Sequence, residues 1–380
     1  MQVVFMNQIE IRKVDGRRDL NLFIDFPEKL YKGNQCWVPP IRRDEKKNLN
    51  PNKKQAIPFC KLCMWLAYKD GEVVGRIAGI INENANRDWK TKRVRFGWFD
   101  FIDDIQVAKA LLEKVEQWGK LYGMNEICGP LGFTDMDREG MLIEGFENPA
   151  SLTTIYNYPY YPKTMQCLGY EKDADWLQRE LVVPEKMPDK IEYFKPLVEQ
   201  HSGAHIKFIT SKKEMKKYGE GMFYVVNNTF NKLYEFTPLT KEQIDKYVKS
   251  YSPFINKKYF ATVVDNNDNL VGFALCFPSI NNGLIKSRGR FTPSGICHLI
   301  SSFFKTKTLE LWLIGVLPEY QSTGVSALIF HRIIQQCIEN NITRAITNPQ
   351  LEDNLSALQL FDDFSIKQYQ RRRCYKKMIN

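Results

Sequence analysis

The same order of predicted strands and helices occurs twice along this chain of 380 residues, and this duplication limits the fold more than any other feature. In each half a short strand precedes helical segments, a hairpin of two apolar strands, and a strand that leads into an amphipathic helix. The hairpins turn at Asp70-Gly71 and at "NNDN", residues 266–269, where residues that tolerate positive φ allow a tight reversal. The sequence therefore predicts two similar halves.

The predicted segments define two domains. The first half contains a strand at 8–14, a helix at 17–31, the hairpin at 64–82, a strand at 93–101, a helix at 106–123, and strands at 124–130 and 177–184. The second contains a strand at 205–210, helices at 222–233 and 241–251, the hairpin at 259–277, the strand and helix of 311–340, a strand at 343–349, a helix at 352–364 and a strand at 367–378. Prolines and charges around a helix at 185–204 indicate a linker, so the predicted domains are 1–184 and 205–380. The predicted fold class is mixed α/β, with a central, mostly antiparallel sheet flanked by helices in each domain.

Composition excludes several classes of protein. No segment approaches the run of roughly 18 or more apolar residues that a membrane-spanning helix needs, and the N-terminus lacks the pattern of a signal peptide. The nine cysteines occur singly in apolar contexts, which predicts buried free thiols in a reducing cytoplasm. Cys60 and Cys63 have CxxC spacing, but no second pair or clustered histidine completes a zinc site, and we expect no metal.

The charge of the chain favours anionic partners. The net charge is +10 and the isoelectric point is near 9.0, which suits nucleic acid, anionic lipid or a phosphorylated cofactor. No helix-turn-helix, zinc finger or RNA-binding aromatic motif accompanies the charge, so nucleic acid is the minor hypothesis.

One segment combines a strand, a turn and a helix: "LWLIGVLPEYQSTGVSALIFHRIIQQCIEN", residues 311–340. Pro318 ends the strand because it removes a donor from the ladder, and Gly324 lets the backbone approach a ligand without an intervening side chain. The start of a helix directs unpaired N–H groups and the positive end of the helix dipole toward such a turn. The pattern therefore predicts a site for phosphate.

This succession of elements resembles the GCN5-related N-acetyltransferase (GNAT) superfamily over most of residues 205–380. The most specific part is "QSTGVS", residues 321–326, where the family has glutamine or arginine, two residues, glycine, one residue, and glycine or alanine. Ser326 departs modestly from that pattern. The resemblance implies that the turn binds the pyrophosphate of acetyl-coenzyme A or another acyl-coenzyme A through Gln321, Ser322, Thr323, Gly324, Val325 and Ser326. It also implies that the strand around Val316 and Leu317 separates from its neighbour, so that pantetheine can pair with its backbone.

The resemblance also suggests residues for catalysis and acceptor binding. Glu310 precedes the turn on the same strand and, by period-two alternation, shares a face with Trp312. A glutamate at this position resembles the general base of the family's histone-modifying members, whereas the alternative is a carboxylate at the rim that pairs with a lysine. We expect Trp312 to line the acceptor site.

The expected general acid is missing. Asn354, Ala357 and Phe361 fill the places of a family motif in which a tyrosine often protonates the leaving thiolate. Phenylalanine has no proton to donate, so water or another hydroxyl would have to act. Asn354 and Phe361 are expected coenzyme contacts, although Asn354 fits the start of a helix equally well.

The first half retains the outline of the fold without this turn. Between its strand at 93–101 and the next helix lies "IDDI", residues 102–105, whose two carboxylates would repel pyrophosphate. The resemblance implies a degenerate acetyltransferase domain, and such halves commonly shape the acceptor pocket. In the aromatic segment 133–170, Tyr156 and Tyr158 are expected to contact the acceptor or, alternatively, to join the two halves.

An insertion at 278–308 separates the second hairpin from the strand before the turn. It contains an apolar helical stretch at 296–304, which is flanked by Lys286, Arg288, Arg290, Lys305 and Lys307. A lid over the acceptor channel, a patch on an anionic membrane surface and packing against the first domain all fit this pattern.

The sequence thus favours a cytoplasmic N-acyltransferase that uses acetyl-coenzyme A, or another acyl-coenzyme A, to modify an amine of a small molecule or peptide. Catalysis would need little beyond orientation of the amine, removal of its proton and stabilisation of the oxyanion. One alternative is a non-catalytic coenzyme-binding or scaffold protein with an acetyltransferase fold. Another is a tandem-domain transferase that uses aminoacyl-tRNA, which the basic charge fits.

Overall fold

The computed structural model describes residues 8–50, 58–251 and 255–379. The strands are β1 (Glu10–Lys13), β2 (Cys60–Lys69), β3 (Glu72–Asn82), β4 (Arg93–Phe101), β5 (Glu126–Gly129), β6 (Met141–Glu144), β7 (Glu171–Val182), β8 (His205–Lys207), β9 (Phe260–Val264), β10 (Leu270–Pro278), β11 (Thr308–Val316), β12 (Arg344–Thr347), β13 (Gln350–Leu351) and β14 (Ile366–Met378). The α-helices are α1 (Gly16–Leu30), α2 (Arg42–Asn48), α3 (Glu83–Asp88), α4 (Ile105–Leu121), α5 (Tyr160–Cys167), α6 (Asp189–Ser202), α7 (Lys212–Thr229), α8 (Lys241–Tyr251), α9 (Asn281–Ser287), α10 (Pro293–Lys305), α11 (Val325–Glu339) and α12 (Leu355–Gln359). Within those residues, no helix is long and apolar enough to cross a membrane.

The chain divides into two compact units. The first unit contains the described residues up to Trp176, residues 281–302 and those from Gln370 onward, and the second unit contains residues 177–280 and 303–369. These boundaries differ from the expected domains, 1–184 and 205–380. The residues from Leu177 onward belong to the second unit, whereas residues 281–302 and those from Gln370 onward belong to the first. Residues 180–182 of β7 pair with β12 in the second unit, while the later part of β14 pairs with β5 and β6 in the first.

The first unit is built on a mixed sheet with helices on both faces. Strands β1 to β4 are antiparallel neighbours in chain order, and β4 is parallel to β5. Because side chains alternate along a strand, Ile77 and Ile81 of β3 pack with α4, whereas Ala78 and Ile80 pack with α1. The same alternation places Cys60 and Cys63 of β2 in different core clusters, so the CxxC spacing does not bring the two thiols together.

The second unit repeats this arrangement. Strands β8 to β11 are antiparallel neighbours, and β11 is parallel to β12. Helices α7 and α11 lie on opposite faces: a Cβ atom added to Gly315 would lie 3.1 Å from Val225 of α7, and one added to Gly272 would lie 2.9 Å from Val325 of α11. The predicted class, a mixed α/β fold with a mostly antiparallel sheet, is confirmed.

Several element predictions are confirmed and others are wrong. The first hairpin turns at Asp70-Gly71, with φ angles of 52° and 79°. Helix α7 begins earlier than predicted, at Lys212, because Ser211 and Glu214 form a capping box there. Helix α12 ends at Gln359 instead of residue 364. The aromatic segment 133–170 contains β6 and α5, and the insertion contains α9 in addition to the predicted helix.

Asp175 connects two strands within the first unit. This buried carboxylate of β7 accepts hydrogen bonds of 2.7 to 2.9 Å from the guanidinium groups of Arg371 and Arg373 of β14. Burial by itself would raise the pKa of Asp175, but hydrogen bonds from the two arginines and the charge of Lys172 outweigh it and hold the pKa below its usual value.

Replacing this carboxylate should destabilise the first unit in a pH-dependent way. We expect Asp175→Asn to lower the free energy of unfolding at pH 7 by about 2–4 kcal/mol, because two arginines lose their charged acceptor. A depressed folded-state pKa contributes stability above the unfolded value of about 3.9, and that contribution is lost as the pH falls through the folded value. In urea unfolding, the difference between wild type and variant should therefore shrink on acidification. The control is Glu171→Gln, an exposed change on the same strand, which should show no such difference; a pH-independent loss in Asp175→Asn would contradict the assignment.

Candidate functional site

The turn between β11 and α11 leaves backbone donors at the start of a helix without acceptors. Gly324 is the N-cap of α11, with φ at 84°, and no side chain caps this end. Its carbonyl accepts a hydrogen bond from the N–H of Ala327. The N–H groups of Gly324, Val325 and Ser326 have no acceptor among the described residues. With no acidic residue in the first turn, this end of the helix suits an anion.

The other predicted residues of the turn shape it. The side-chain amide of Gln321 donates to the carbonyl of Val316 at 3.1 Å, and both the N–H and the hydroxyl of Thr323 donate to the carbonyl of Tyr320. Ser322 is exposed, and the N–H of the buried Leu317 donates to the carbonyl of Val271. These contacts fix the backbone that presents the three donors.

Strand β11 separates from β12 before it reaches this turn. The two strands pair from Thr308 to Leu311, opposite Arg344–Thr347, and the last bond runs from the N–H of Asn348 to the carbonyl of Leu311. Beyond Leu311, in the described part of the chain, β11 pairs only with β10. The separation that was expected around Val316 and Leu317 therefore begins at Trp312, and it leaves one edge of β11 open for several residues.

Glu310 and Trp312 lie at this point of separation. The Glu310 carboxylate is 4% exposed and accepts a hydrogen bond of 3.1 Å from the indole N–H of Trp312. The Trp312 ring packs on Phe277, with centroids 4.0 Å apart. The pairing of β10 with β11 shifts register at this point, so Trp312 has no residue directly opposite it on β10. Simple alternation is interrupted there, although Glu310 and Trp312 contact each other as expected.

The structure places Asn354 and Phe361 in structural roles. The side-chain oxygen of Asn354 caps α12 by accepting hydrogen bonds from the N–H of Ala357 and the hydroxyl of Ser356. Phe361 is 2% exposed and packs edge-on against Phe330 of α11, with centroids 5.6 Å apart. The predicted coenzyme contact of Phe361 is therefore not favoured, because its ring presents almost no surface to a ligand.

In the first unit, the corresponding helix already has an anion at its N-terminus. Asp104 is the N-cap of α4: its carboxylate accepts a hydrogen bond from the N–H of Gln106 at 2.9 Å and pairs with Lys69 at 3.0 Å. The space beside β4 is also filled, since a Cβ atom added to Gly97 would lie 2.4 Å from the carbonyl oxygen of Leu131. The sequence showed the two carboxylates of "IDDI", but the capping role of Asp104 was missed.

Tyr156 and Tyr158 belong to the first unit. Tyr156 is buried, accepts a hydrogen bond from Asn34, donates one to the carbonyl of Phe146, and lines a cavity of about 90 Å³. Tyr158 donates to the carbonyl of Leu30 and stacks on Tyr160.

Four charged side chains that line this cavity form two ion pairs. Asp100 pairs with Arg76, and Glu45 pairs with Arg138. Burial raises the pKa of Asp137 to about 6, although backbone N–H groups of Thr134 and Phe133 act in the opposite direction. The cavity is therefore lined by charged groups, most of which already pair with one another.

The chain is similar in sequence and in fold to known proteins. Residues 225–364 match the family model described as the Acetyltransferase (GNAT) family. The chain is 25% identical over 384 residues to Protein YghO of Escherichia coli, covering 97% of this chain and 95% of that protein. It is 21% identical over 317 residues to a bacterial ceramide synthase of Caulobacter vibrioides, covering 80% and 79%. A tandem GNAT protein from the clavulanic acid biosynthesis pathway has a similar structure, with a TM-score of 0.55 at 12% identity and coverage of 98% and 99%. That similarity shows the fold.

The turn should require glycine at position 324. A side chain at φ 84° is strained, and a Cβ atom there would lie 2.8 Å from Val198 of α6. We expect Gly324→Ala to lower the free energy of unfolding by roughly 1–3 kcal/mol, measured by urea denaturation of the full chain.

A second substitution separates the two causes. In a Val198→Ala background, Gly324→Ala should lower the free energy of unfolding by less than it does in the wild type, because the close contact is gone. The remaining loss, measured against Val198→Ala alone, comes from the backbone angle. Ser322→Ala, in the same turn, should change stability by less than about 0.5 kcal/mol. Unchanged stability in Gly324→Ala would contradict the described turn.

Proposed function

We propose that this chain, a tandem-domain member of the GNAT superfamily, is an acyl-coenzyme A-dependent N-acyltransferase whose coenzyme site lies in the second unit. The observation that carries the proposal is the group of N–H donors at Gly324, Val325 and Ser326, which lies at the end of a strand with an open edge. At the corresponding helix of the first unit, α4, the carboxylate of Asp104 caps the N-terminus instead.

The residues present fit a coenzyme A molecule. A pyrophosphate group would accept hydrogen bonds from the three N–H groups and interact favourably with the positive end of the α11 dipole. The edge of β11 between Trp312 and Val316 offers backbone groups to the amide-containing pantetheine arm. When bound, an acyl-coenzyme A supplies a thioester carbonyl that is already activated toward amines.

Glu310 is the proposed general base. It lies beside the point where β11 and β12 diverge, and the Trp312 indole N–H holds one of its oxygens. In this position the carboxylate accepts a proton from the acceptor amine, directly or through one water molecule. Trp312, fixed by Phe277, limits the access of solvent to the carboxylate and provides an apolar wall for the acceptor.

The acceptor is an amine, and the first class to test is a long-chain amino alcohol. A ceramide is the amide of a fatty acid with such an amino alcohol, so the name of the Caulobacter relative, a bacterial ceramide synthase, describes N-acylation. Of the residues expected to contact the acceptor, Trp312 adjoins the proposed base, and Tyr156 lines a cavity in the first unit. Trp312 is the proposed acceptor contact beside this base.

A carboxylate at the start of α11 should weaken coenzyme binding without loss of folding. An acid in the first turn stabilises a helix by about 0.3–1 kcal/mol, yet it repels pyrophosphate. We expect Ser326→Asp to lower the affinity for coenzyme A at least tenfold in isothermal titration calorimetry. Ser326→Asn, which has the same shape without the charge, should bind within about threefold of wild type. Equal affinity of all three proteins would place the coenzyme elsewhere.

The role of Glu310 can be separated from that of its hydrogen-bond partner. Glu310→Gln can still accept the indole hydrogen bond but is a far weaker base, so turnover should fall by about 10²-fold or more with coenzyme affinity preserved. Trp312→Phe, which removes the N–H but leaves the carboxylate, should cost less. Turnover is measured as release of the coenzyme A thiol from acetyl- and palmitoyl-coenzyme A, with a long-chain amino alcohol or a lysine peptide as acceptor.

The outcomes of this assay distinguish the hypotheses. Wild-type turnover in Glu310→Gln across the pH range would contradict the base assignment. Coenzyme binding without thiol release for any acceptor would instead favour a scaffold protein with this fold.

A further inference from the structure

Helix α10 packs closely against its neighbours at Gly295 and Leu299 and leaves a row of large apolar residues exposed to solvent. A Cβ atom added to Gly283 of α9 would lie 2.8 Å from the backbone of Leu299, so the two helices approach closely. Gly295 is buried against the loop before α10, where an added Cβ atom would lie 2.3 Å from the carbonyl oxygen of Arg290. Leu299 and Phe303 are partly buried, so the helix has a second apolar face in solvent, where a surface helix usually has polar residues.

The outward face forms an apolar stripe. Ile296, Ile300 and Phe304 follow one another at intervals of four residues, so they lie on one side of the helix. Their exposed fractions are 44%, 53% and 79%. Phe291, in the loop before the helix, is also exposed. Apolar side chains grouped in this way mark a contact surface more often than scattered ones do.

The segment that carries this stripe is cationic. Residues 278–308 contain five lysines and arginines and no aspartate or glutamate. Lys286, Lys305 and Lys307 are exposed, and no carboxylate pairs with them among the described residues. Arg288 and Arg290 share a single carboxylate, that of Glu28. The surface around α10 therefore carries an excess of positive charge.

The base of this surface is fixed within the first unit. The carbonyl of Gly289 accepts a hydrogen bond from the N–H of Arg42, and the side chain of Asn281 donates to the carbonyl of Ala150. Packing against the first domain, one of the expectations for the insertion, thus holds for its beginning. It does not cover the outer face of α10.

We propose that α10 and the loop before it bind the surface of an anionic lipid bilayer. Ile296, Ile300 and Phe304 enter the boundary between headgroups and acyl chains, while the surrounding lysines and arginines contact anionic headgroups. A second copy of the chain is a poorer occupant, because a symmetric contact through α10 would bring two cationic surfaces together. The docking surface does not depend on the proposed enzyme activity.

Cys297 allows the proposal to be tested on the helix itself. Cys297 and Cys167 are the exposed thiols, and burial together with the neighbouring Glu147 carboxylate raises the pKa of the half-buried Cys36 thiol, which slows its labelling. In full-length Cys167→Ser protein, an environment-sensitive fluorophore on Cys297 should shift to shorter wavelengths on addition of phosphatidylglycerol-containing vesicles. Pure phosphatidylcholine vesicles should cause little shift, and salt on the order of 0.5 M should reduce the response.

Matched variants separate the apolar and the charged contributions. Ile300→Ser combined with Phe304→Ser, and separately Lys286→Glu with Lys305→Glu and Lys307→Glu, should each weaken vesicle binding by about tenfold or more. These positions are exposed, so circular dichroism and the thermal midpoint should remain unchanged. The same fluorophore on Cys167, in Cys297→Ser protein, should shift far less and serves as the positional control.

Three results would overturn the proposal. The first is no binding to anionic vesicles by wild-type protein, and the second is an equal response to neutral vesicles. The third is concentration-dependent self-association in sedimentation that the Ile300→Ser and Phe304→Ser changes abolish, since that would assign the surface to a second copy of the chain. None of these measurements uses coenzyme A, so failure of this proposal is distinguishable from failure of the proposed activity.

Discussion

The N–H groups at the start of a helix need acceptors, and the two units meet this need in different ways. In the first unit Asp104 supplies a carboxylate from the chain itself, and Lys69 balances its charge. In the second unit Gly324 supplies no side chain, and the turn is arranged so that its donors remain open. One fold thus has two chemical outcomes, set by the residue at the N-cap. The proposed location of the coenzyme, and with it the proposed role of Glu310, depends on this difference.

The sequence predicted those parts of the fold that local chemistry determines. Positive φ at Asp70-Gly71, the effect of Pro318 on a strand and the glycine of the turn are encoded within a few residues. Other features depend on distant packing. The burial of Phe361 requires Phe330 of a different helix, and the register shift at Trp312 requires β10. No periodicity within a single segment contains that information, so the short α12 and the structural role of Phe361 were not predicted.

The aromatic segment of the first unit shows a similar limit. Its tyrosines read equally well as acceptor contacts or as core, and most of the described contacts are of the second kind. Tyr161 and Tyr31 share a hydrogen bond, Tyr31 donates to Asp100, and Asp100 pairs with Arg76. Burial raises the pKa of Tyr161 well above its usual value, so its hydroxyl stays protonated and can donate. A buried ion pair of this kind must be surrounded by donors and acceptors, which explains why so many tyrosines are concentrated there.

The assignment of β14 to the first unit has a consequence for synthesis of the protein on the ribosome. Residues Tyr375 to Met378 pair with β5, and Arg371 to Arg373 pair with β6, but more than two hundred residues separate these partners along the chain. The first unit therefore leaves the ribosome early with an unpaired strand edge and without the two arginine partners of Asp175, until translation reaches β14. Exposed strand edges promote association between chains. The interval in which this edge is exposed lengthens as elongation slows, whereas the second unit can close most of its own sheet without waiting for β14.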